Sequence, residues 1–150
     1  MNEKSNTPAN KTDSAPLIEW DERAFGLGVP AMDETHAQFI DLVNQLDTAL
    51  HSEFAALFTR LCEHTQAHFE DEEARMLQCG FPATAEHTGE HRRVLGELTQ
   101  IRKQVDKGLI SFGRQYVREG LPGWFRLHAA TMDSALAAHW KHYSSGPKQS

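Results

Sequence analysis

The sequence predicts an all-α protein: an antiparallel four-helix bundle running up-down-up-down, with an N-terminal arm. Three observations predict it. Apolar residues recur at spacings of three and four over long stretches, the period that gives a helix one buried face. Gly and Pro punctuate the chain at residues 80–82, 108 and 120–123, dividing it into helix-length pieces. No stretch alternates polar and apolar residues far enough to make a useful strand.

At 150 residues the chain makes one domain with a single buried core. A hydrophobic fraction of 39% and a charged fraction of 24% describe an ordinary soluble globular protein. The net charge of −6 argues against nucleic acid or anionic membrane as the main partner. No run of 18 apolar residues occurs, so no membrane span is expected. The opening MNEKSNTPANKTDSAP lacks the apolar stretch of a secretory signal. The expected location is therefore cytoplasmic, with Cys62 and Cys79 as reduced thiols.

Residues 1–16 are polar, contain Pro and lack periodicity, which predicts a disordered tail. Residues 17–32 mix Trp20 and Phe25 with Gly26, Gly28 and Pro30, so they read as an arm lying on the bundle. Asp33 is expected to cap a first helix reaching about Ser52, with His36, Phe39, Val43, Leu46 and Leu50 inward. Ser52 then caps a second helix over 53–78, with Phe54, Leu57, Leu61, His64, His68 and Glu72 inward. Gly80, Phe81 and Pro82 stop it, because Gly tolerates a left-handed turn and Pro cannot continue a helix. A third helix over 83–107 ends at Gly108 and turns His87, His91, Val94, Leu98, Ile101 and Val105 inward. The fourth is expected over 111–119 and again from Trp124 to Tyr143, with Trp124, His128, Leu136 and Trp140 inside. A kink or a fresh start is expected at Pro122. Residues 17–143 thus make the domain and 144–150 a C-terminal tail. Short links between the first three helices favour antiparallel neighbours.

The chain is organised around His68-Phe69-Glu70-Asp71-Glu72-Glu73. Four residues apart on a helix, His68 and Glu72 lie about 40° apart around the axis and ~6 Å along it, so both reach one centre beside the helix. Singly, each candidate has a plainer reading. A His on an apolar stripe is usually a hydrogen-bonded core residue, and Glu-Asp-Glu-Glu is usually a solvated acidic face. Jointly, His36, His68, Glu72, His87, His91 and His128 occupy inward positions where a structural core wants Leu or Val. Left unpaired, each would cost about 1–3 kcal/mol, together a large share of a small domain's stability. A shared metal centre removes that penalty from all of them. Asp133 follows His128 by five residues, about 140° away on a regular helix. Either a π-bulge brings the two to one side, or the spacing is coincidental.

Five imidazoles and two carboxylates are too many donors for one tetrahedral zinc and suit two ions. With both carboxylates bridging, and a bridging oxide or hydroxide, two six-coordinate ions keep one position open. Nitrogen-rich, octahedral-leaning sites suit iron better than magnesium or calcium. A pair with one vacancy in an apolar bundle is built for a small diatomic ligand. Carboxylates are scarcer here than in the ferritin-like pattern, which draws Glu from two helices and Glu-x-x-His from two others. That scarcity favours reversible binding over oxygen-splitting chemistry.

Five motifs carry a family resemblance: Gly28-Val-Pro-Ala-Met-Asp33-Glu-Thr-His36, His68-Phe69-x-x-Glu72-Glu73-x-x-Met76, Phe81-Pro82, His87-x-x-x-His91, and Trp124-Phe125-x-x-His128 with Asp133. Over about residues 20–140 the chain resembles the single-domain bacterial hemerythrins. The resemblance implies a hemerythrin-like bundle in which His87, His91 and His128 hold one iron and His36 and His68 the other, with Glu72 and Asp133 bridging. It implies a non-haem, oxo- or hydroxo-bridged pair, with dioxygen as ligand at the five-coordinate iron of His36 and His68. The implied function is reversible dioxygen binding for storage, transport or delivery rather than enzymatic turnover. An oxygen-consuming enzyme or a reductase is the expected protein partner, and a monomer the expected state. Two positions depart from the family's pattern: His64 stands where Tyr is usual, and Ala129 where Ile is usual. His64, one turn before His68, motivates a rival reading in which it donates a proton near bound oxygen, giving a di-iron peroxidase or oxidase. An oxygen or redox sensor whose arm moves with the iron state is a third reading.

Overall fold

The computed structural model of the chain describes residues 15–146, so residues 1–14 and 147–150, which hold most of both expected tails, lie outside the described part. One helical turn, α1 (Glu22–Phe25), precedes three long helices: α2 (Pro30–Thr48), α3 (His51–Cys79) and α4 (Thr84–Asp106). The fourth run is composite. It comprises α5 (Ile110–Gln115), a π turn over Tyr116–Gly120, α6 (Leu121–His128), a second π turn over Ala129–Asp133, and α7 (Ser134–Ser145). Links of two, four and three residues join the four runs, too short to cross the bundle, so successive helices run antiparallel. No strand occurs among the described residues.

Two of the helix stops are written in glycine, as the sequence predicts. Gly80 has φ +62°; its N–H reaches the Leu77 carbonyl, and the Phe81 N–H reaches the Met76 carbonyl at 2.9 Å. Gly108, at φ +87°, repeats the pattern with Val105 and Gln104. Both close a helix by satisfying its last carbonyls through a left-handed residue. The end of α2 has no glycine and is closed from a distance. The Arg114 guanidinium donates to the carbonyls of Leu46, Asp47 and Ala49 at 3.2, 2.9 and 2.7 Å while lying over the Phe54 ring.

Several boundaries correct the expectation. α2 begins at Pro30, a residue whose missing N–H costs nothing in a first turn. Asp33 therefore does not cap the helix; its carboxylate accepts the Leu27 N–H at 2.9 Å and fastens the arm instead. α2 ends at Thr48, which leaves Leu50, expected inward, 65% exposed. Ser52 lies inside the first turn of α3, which has no side-chain cap. Residues 120–123 do not interrupt the fourth run. The π turn just before Pro122, closed by the Leu121 N–H on the Tyr116 carbonyl, shifts the hydrogen-bond register where Pro122 has no N–H to give.

The arm is anchored at several points. Ile18 is fully buried, and the Asn44 side chain both accepts from its N–H and donates to its carbonyl. Arg126 donates to the Leu17 carbonyl and Lys141 to that of Leu27. Phe25 packs on Phe125 with ring centres 5.2 Å apart. The apolar core is split. The larger part runs from Phe39, Val43 and Leu46 through Phe54, Phe58 and Leu61 to Leu98 and Val105. A smaller part, with Leu27, Val29, Met32, Met76 and Leu136, closes the opposite end.

The glycines within helices separate two effects of adding a methyl group. A Cβ on Gly96 meets nothing within 4 Å, whereas one on Gly113 falls 2.7 Å from a Val105 methyl and 2.8 Å from the Phe54 ring. Gly96→Ala is therefore expected to stabilise the protein by up to about 1 kcal/mol. Gly113→Ala is expected to destabilise it by about 1–3 kcal/mol through overpacking. Urea denaturation midpoints check both signs.

Candidate metal centre

Between the two apolar regions lies a polar layer. Along α2 the order is Met32, His36, Phe39; along α3, Phe69, Glu72, Met76; along the fourth run, Phe125, His128, Asp133, Leu136. All seven residues named from the sequence are buried, none more than 5% exposed, and all lie in this layer. They converge in two groups, Glu72, His87, His91, His128 and Asp133 in one and His36, His68, Glu72 and Asp133 in the other, with donor atoms within 4.8 Å of one another.

The second π turn puts Asp133 there. Its closing bond runs from the Ser134 N–H to the Ala129 carbonyl, five residues back. The wide turn adds one residue to the circuit, so residues five apart come to the same side of the helix. This is the first of the two alternatives that the spacing allowed.

The carboxylate oxygens sort by group. Glu72 turns Oε1 toward the Nε2 atoms of His87 and His91, each at 3.1 Å. Its Oε2 faces His68 Nε2 at 2.5 Å and His36 Nε2 at 3.6 Å. Asp133 divides likewise, Oδ1 toward His87 and His128 at 3.2 and 3.1 Å, and Oδ2 toward His36 at 3.1 Å. Each carboxylate therefore belongs to both groups, one oxygen in each.

Aromatic rings hold the imidazoles in place. Phe69 lies parallel to His91 at 3.8 Å, and Trp124 stacks on His128 at 4.7 Å. The Trp124 indole N–H donates to Glu90, which Arg93 also engages. Arg93, with the indole, holds the Glu90 carboxyl down at about 2. These supports were not legible in the sequence. Trp124 and Phe69 registered as motif residues, Trp124 also as part of an apolar stripe, and Glu90 not at all. His64, expected inward, is half-buried on the flank of α3, bonded through Nε2 to the Gln38 side chain at 3.1 Å. Cys62 and Cys79 are both free thiols.

Burial by itself pulls the His36 and His87 pKa values down and the two carboxylates up. The mutual attraction wins: Asp133 and Glu72 raise both His36 and His87 to about 9. The imidazoles in turn hold Glu72 and Asp133 well below the usual carboxylate range. Even so, His36 Nε2, His91 Nε2, His128 Nε2 and both Asp133 oxygens have no hydrogen-bond partner. The groups are close but not aligned on one another; they converge on shared points. Five inward Nε2 atoms and two shared carboxylates fit a pair of cations, and the unmet polar atoms are those such a pair would satisfy.

Bundle and layer together define a class: helical proteins with a buried, histidine-rich cation site. A family profile described as "Hemerythrin HHE cation binding domain" matches residues 27–140, and the chain belongs to that hemerythrin family. It is 36% identical over 121 residues to a bacteriohemerythrin of Ralstonia nicotianae, covering 81% of this chain and 87% of that one. It is 31% identical over 114 residues to a myohemerythrin of Sipunculus nudus, covering 76% and 86%. A wild-type hemerythrin crystal structure superposes with a TM-score of 0.77 at 25% identity, covering 83% of this chain and 98% of that one. The family is one of oxygen-binding proteins using non-haem iron, not of enzymes.

The raised imidazoles give opposite pH dependences to folding and to metal uptake. In metal-free protein, His36 and His87 contribute stability that is fully present below their unfolded value of 6.5 and lost as pH rises through about 9. Metal uptake needs both rings unprotonated, so it strengthens across the same window. Denaturant midpoints of metal-free protein are expected to fall between about pH 6 and about pH 9 while cation affinity by calorimetry rises.

Proposed function

We propose that the layer holds two iron ions and that the protein binds dioxygen reversibly, for storage, transport or delivery. The sorting of carboxylate oxygens supports this best. Glu72 and Asp133 each turn one oxygen to a set of three imidazoles and the other to a set of two. In this reading His87, His91 and His128 hold one iron, His36 and His68 the other, and the carboxylates bridge. The set with fewer imidazoles is the one with room for an outside ligand. When bound, the irons supply the electrons that a reversible dioxygen complex requires. The chain supplies the rest: Nε2 donors held in place, with the rings of Phe69, Phe125 and Trp124 packed against them.

The peroxidase reading rests on His64, and the geometry does not favour it. The ring Nε2 is engaged by Gln38, and burial together with His68 and His36 lowers its pKa, which disfavours the imidazolium form. His64→Tyr is expected to leave the autoxidation rate of the oxygenated protein unchanged; a marked slowing would revive the peroxidase reading.

Metal analysis, with absorption spectra in air and after deoxygenation, tests the main proposal. Two irons per chain and a spectrum that bleaches and returns are expected; far fewer than two irons after careful reconstitution would sink it. Glu72→Ala removes a donor from both sets and is expected to lower occupancy of both sites. His128→Ala touches one set only and is expected to cost about one iron.

A further inference from the structure

We propose that Glu73 is the positioning residue for His91, and that through this ring it sets the redox balance between the two metal positions. The proposal rests on the iron reading above. His91 is the imidazole whose two nitrogens face two consecutive carboxylates of α3. Its Nε2 lies 3.1 Å from Glu72 Oε1, and its Nδ1 lies 3.4 Å from Glu73 Oε1. A helix turns about 100° per residue, so Glu72 points into the layer while Glu73 passes around the flank of α3 toward α4. The ring is fully buried, whereas Glu73 is one-third exposed, so the contact joins the buried layer to the surface.

Other ligand rings lack this contact. Nδ1 of His36, His68 and His87 is buried without a partner. Phe69, parallel to His91 at 3.8 Å and 3°, limits the ring to its own plane. Within that plane the Glu73 carboxylate decides which nitrogen faces the layer. Accepting the Nδ1–H leaves the Nε2 lone pair free to bind metal, and a carboxylate on Nδ1 makes the imidazole a stronger donor. A stronger donor favours the more highly charged metal. His91 belongs to the three-imidazole set, which already has the larger number of nitrogen donors. Glu73 therefore holds that position toward its oxidised state relative to the His36 and His68 position. The neighbouring reading, a carboxylate merely solvated on an acidic face, predicts no effect on either metal.

The test compares full-length wild type with Glu73→Ala, Glu73→Gln and, as a surface-charge control, Glu70→Ala. Glu70 is an exposed residue of the same helix, bonded to Gln66. Each iron-reconstituted protein is measured for reduction potential and for the rate at which a chelator strips iron. Glu73→Ala is expected to raise the potential and weaken retention of one of two irons roughly 10–100-fold, the usual effect of losing such a partner. Glu73→Gln, which keeps an uncharged acceptor, is expected to fall between, and it decides the matter alone if the alanine variant does not fold. Glu70→Ala is expected to match wild type. The proposal is overturned if wild type loads two irons and Glu73→Ala behaves identically, or if Glu70→Ala shifts the potential as far. Wild type that fails to load iron overturns the iron reading, and this proposal with it.

Discussion

Seven ionisable side chains buried in one layer, with apolar packing above and below, are the constraint that the rest of the structure answers. Unpaired, such groups would cost a small domain a large part of its stability. The layer limits the cost by attraction among its own members: two carboxylates held ionised by imidazoles, and two imidazoles held protonated by carboxylates. That settlement is incomplete, because several Nε2 atoms and both Asp133 oxygens remain without aligned partners. A layer that stays unsatisfied by its own side chains is organised around something else, and its donor chemistry suits a pair of cations.

Keeping seven donors in one layer constrains the backbone. On α2, α3 and α4 the inward positions arise from ordinary helical spacing, so the same periodicity that builds the core also delivers the candidate donors. The fourth run cannot deliver both His128 and Asp133 that way. It uses a π turn, and a second such turn upstream accommodates Pro122. The departure over Ala129–Asp133 is thus tied to the candidate site, a common association for π-bulges, while the one upstream answers to Pro122.

Around the layer, stacked and edge-on rings fix the imidazoles against motion, and the arm covers one flank. Phe125 touches both His36 and Phe25, placing the arm one ring away from a candidate ligand. Asp33 and Lys141 tie Leu27 at the arm's end to α2 and α7. The arm is therefore part of the wall of the site and not an ornament upon it.

The sequence by itself determined the helices, two of their stops and the identity of the buried polar layer. Glycine at Gly80 and Gly108 acts locally, and an imidazole on an apolar stripe is visible without knowing its partners. Asp133 was ambiguous, since regular spacing and a π turn predict opposite sides and nothing in the neighbouring residues chooses between them. Asp33, Ser52 and Leu50 were misread because capping and stripe patterns describe one helix at a time. The tertiary structure alone decided that Arg114 closes α2 from some 65 residues away, that His64 pairs with Gln38, and that Glu73 meets His91. Each of these depends on which side chains two helices present to one another. Periodicity reports the face a helix buries, whereas only packing decides what that face meets.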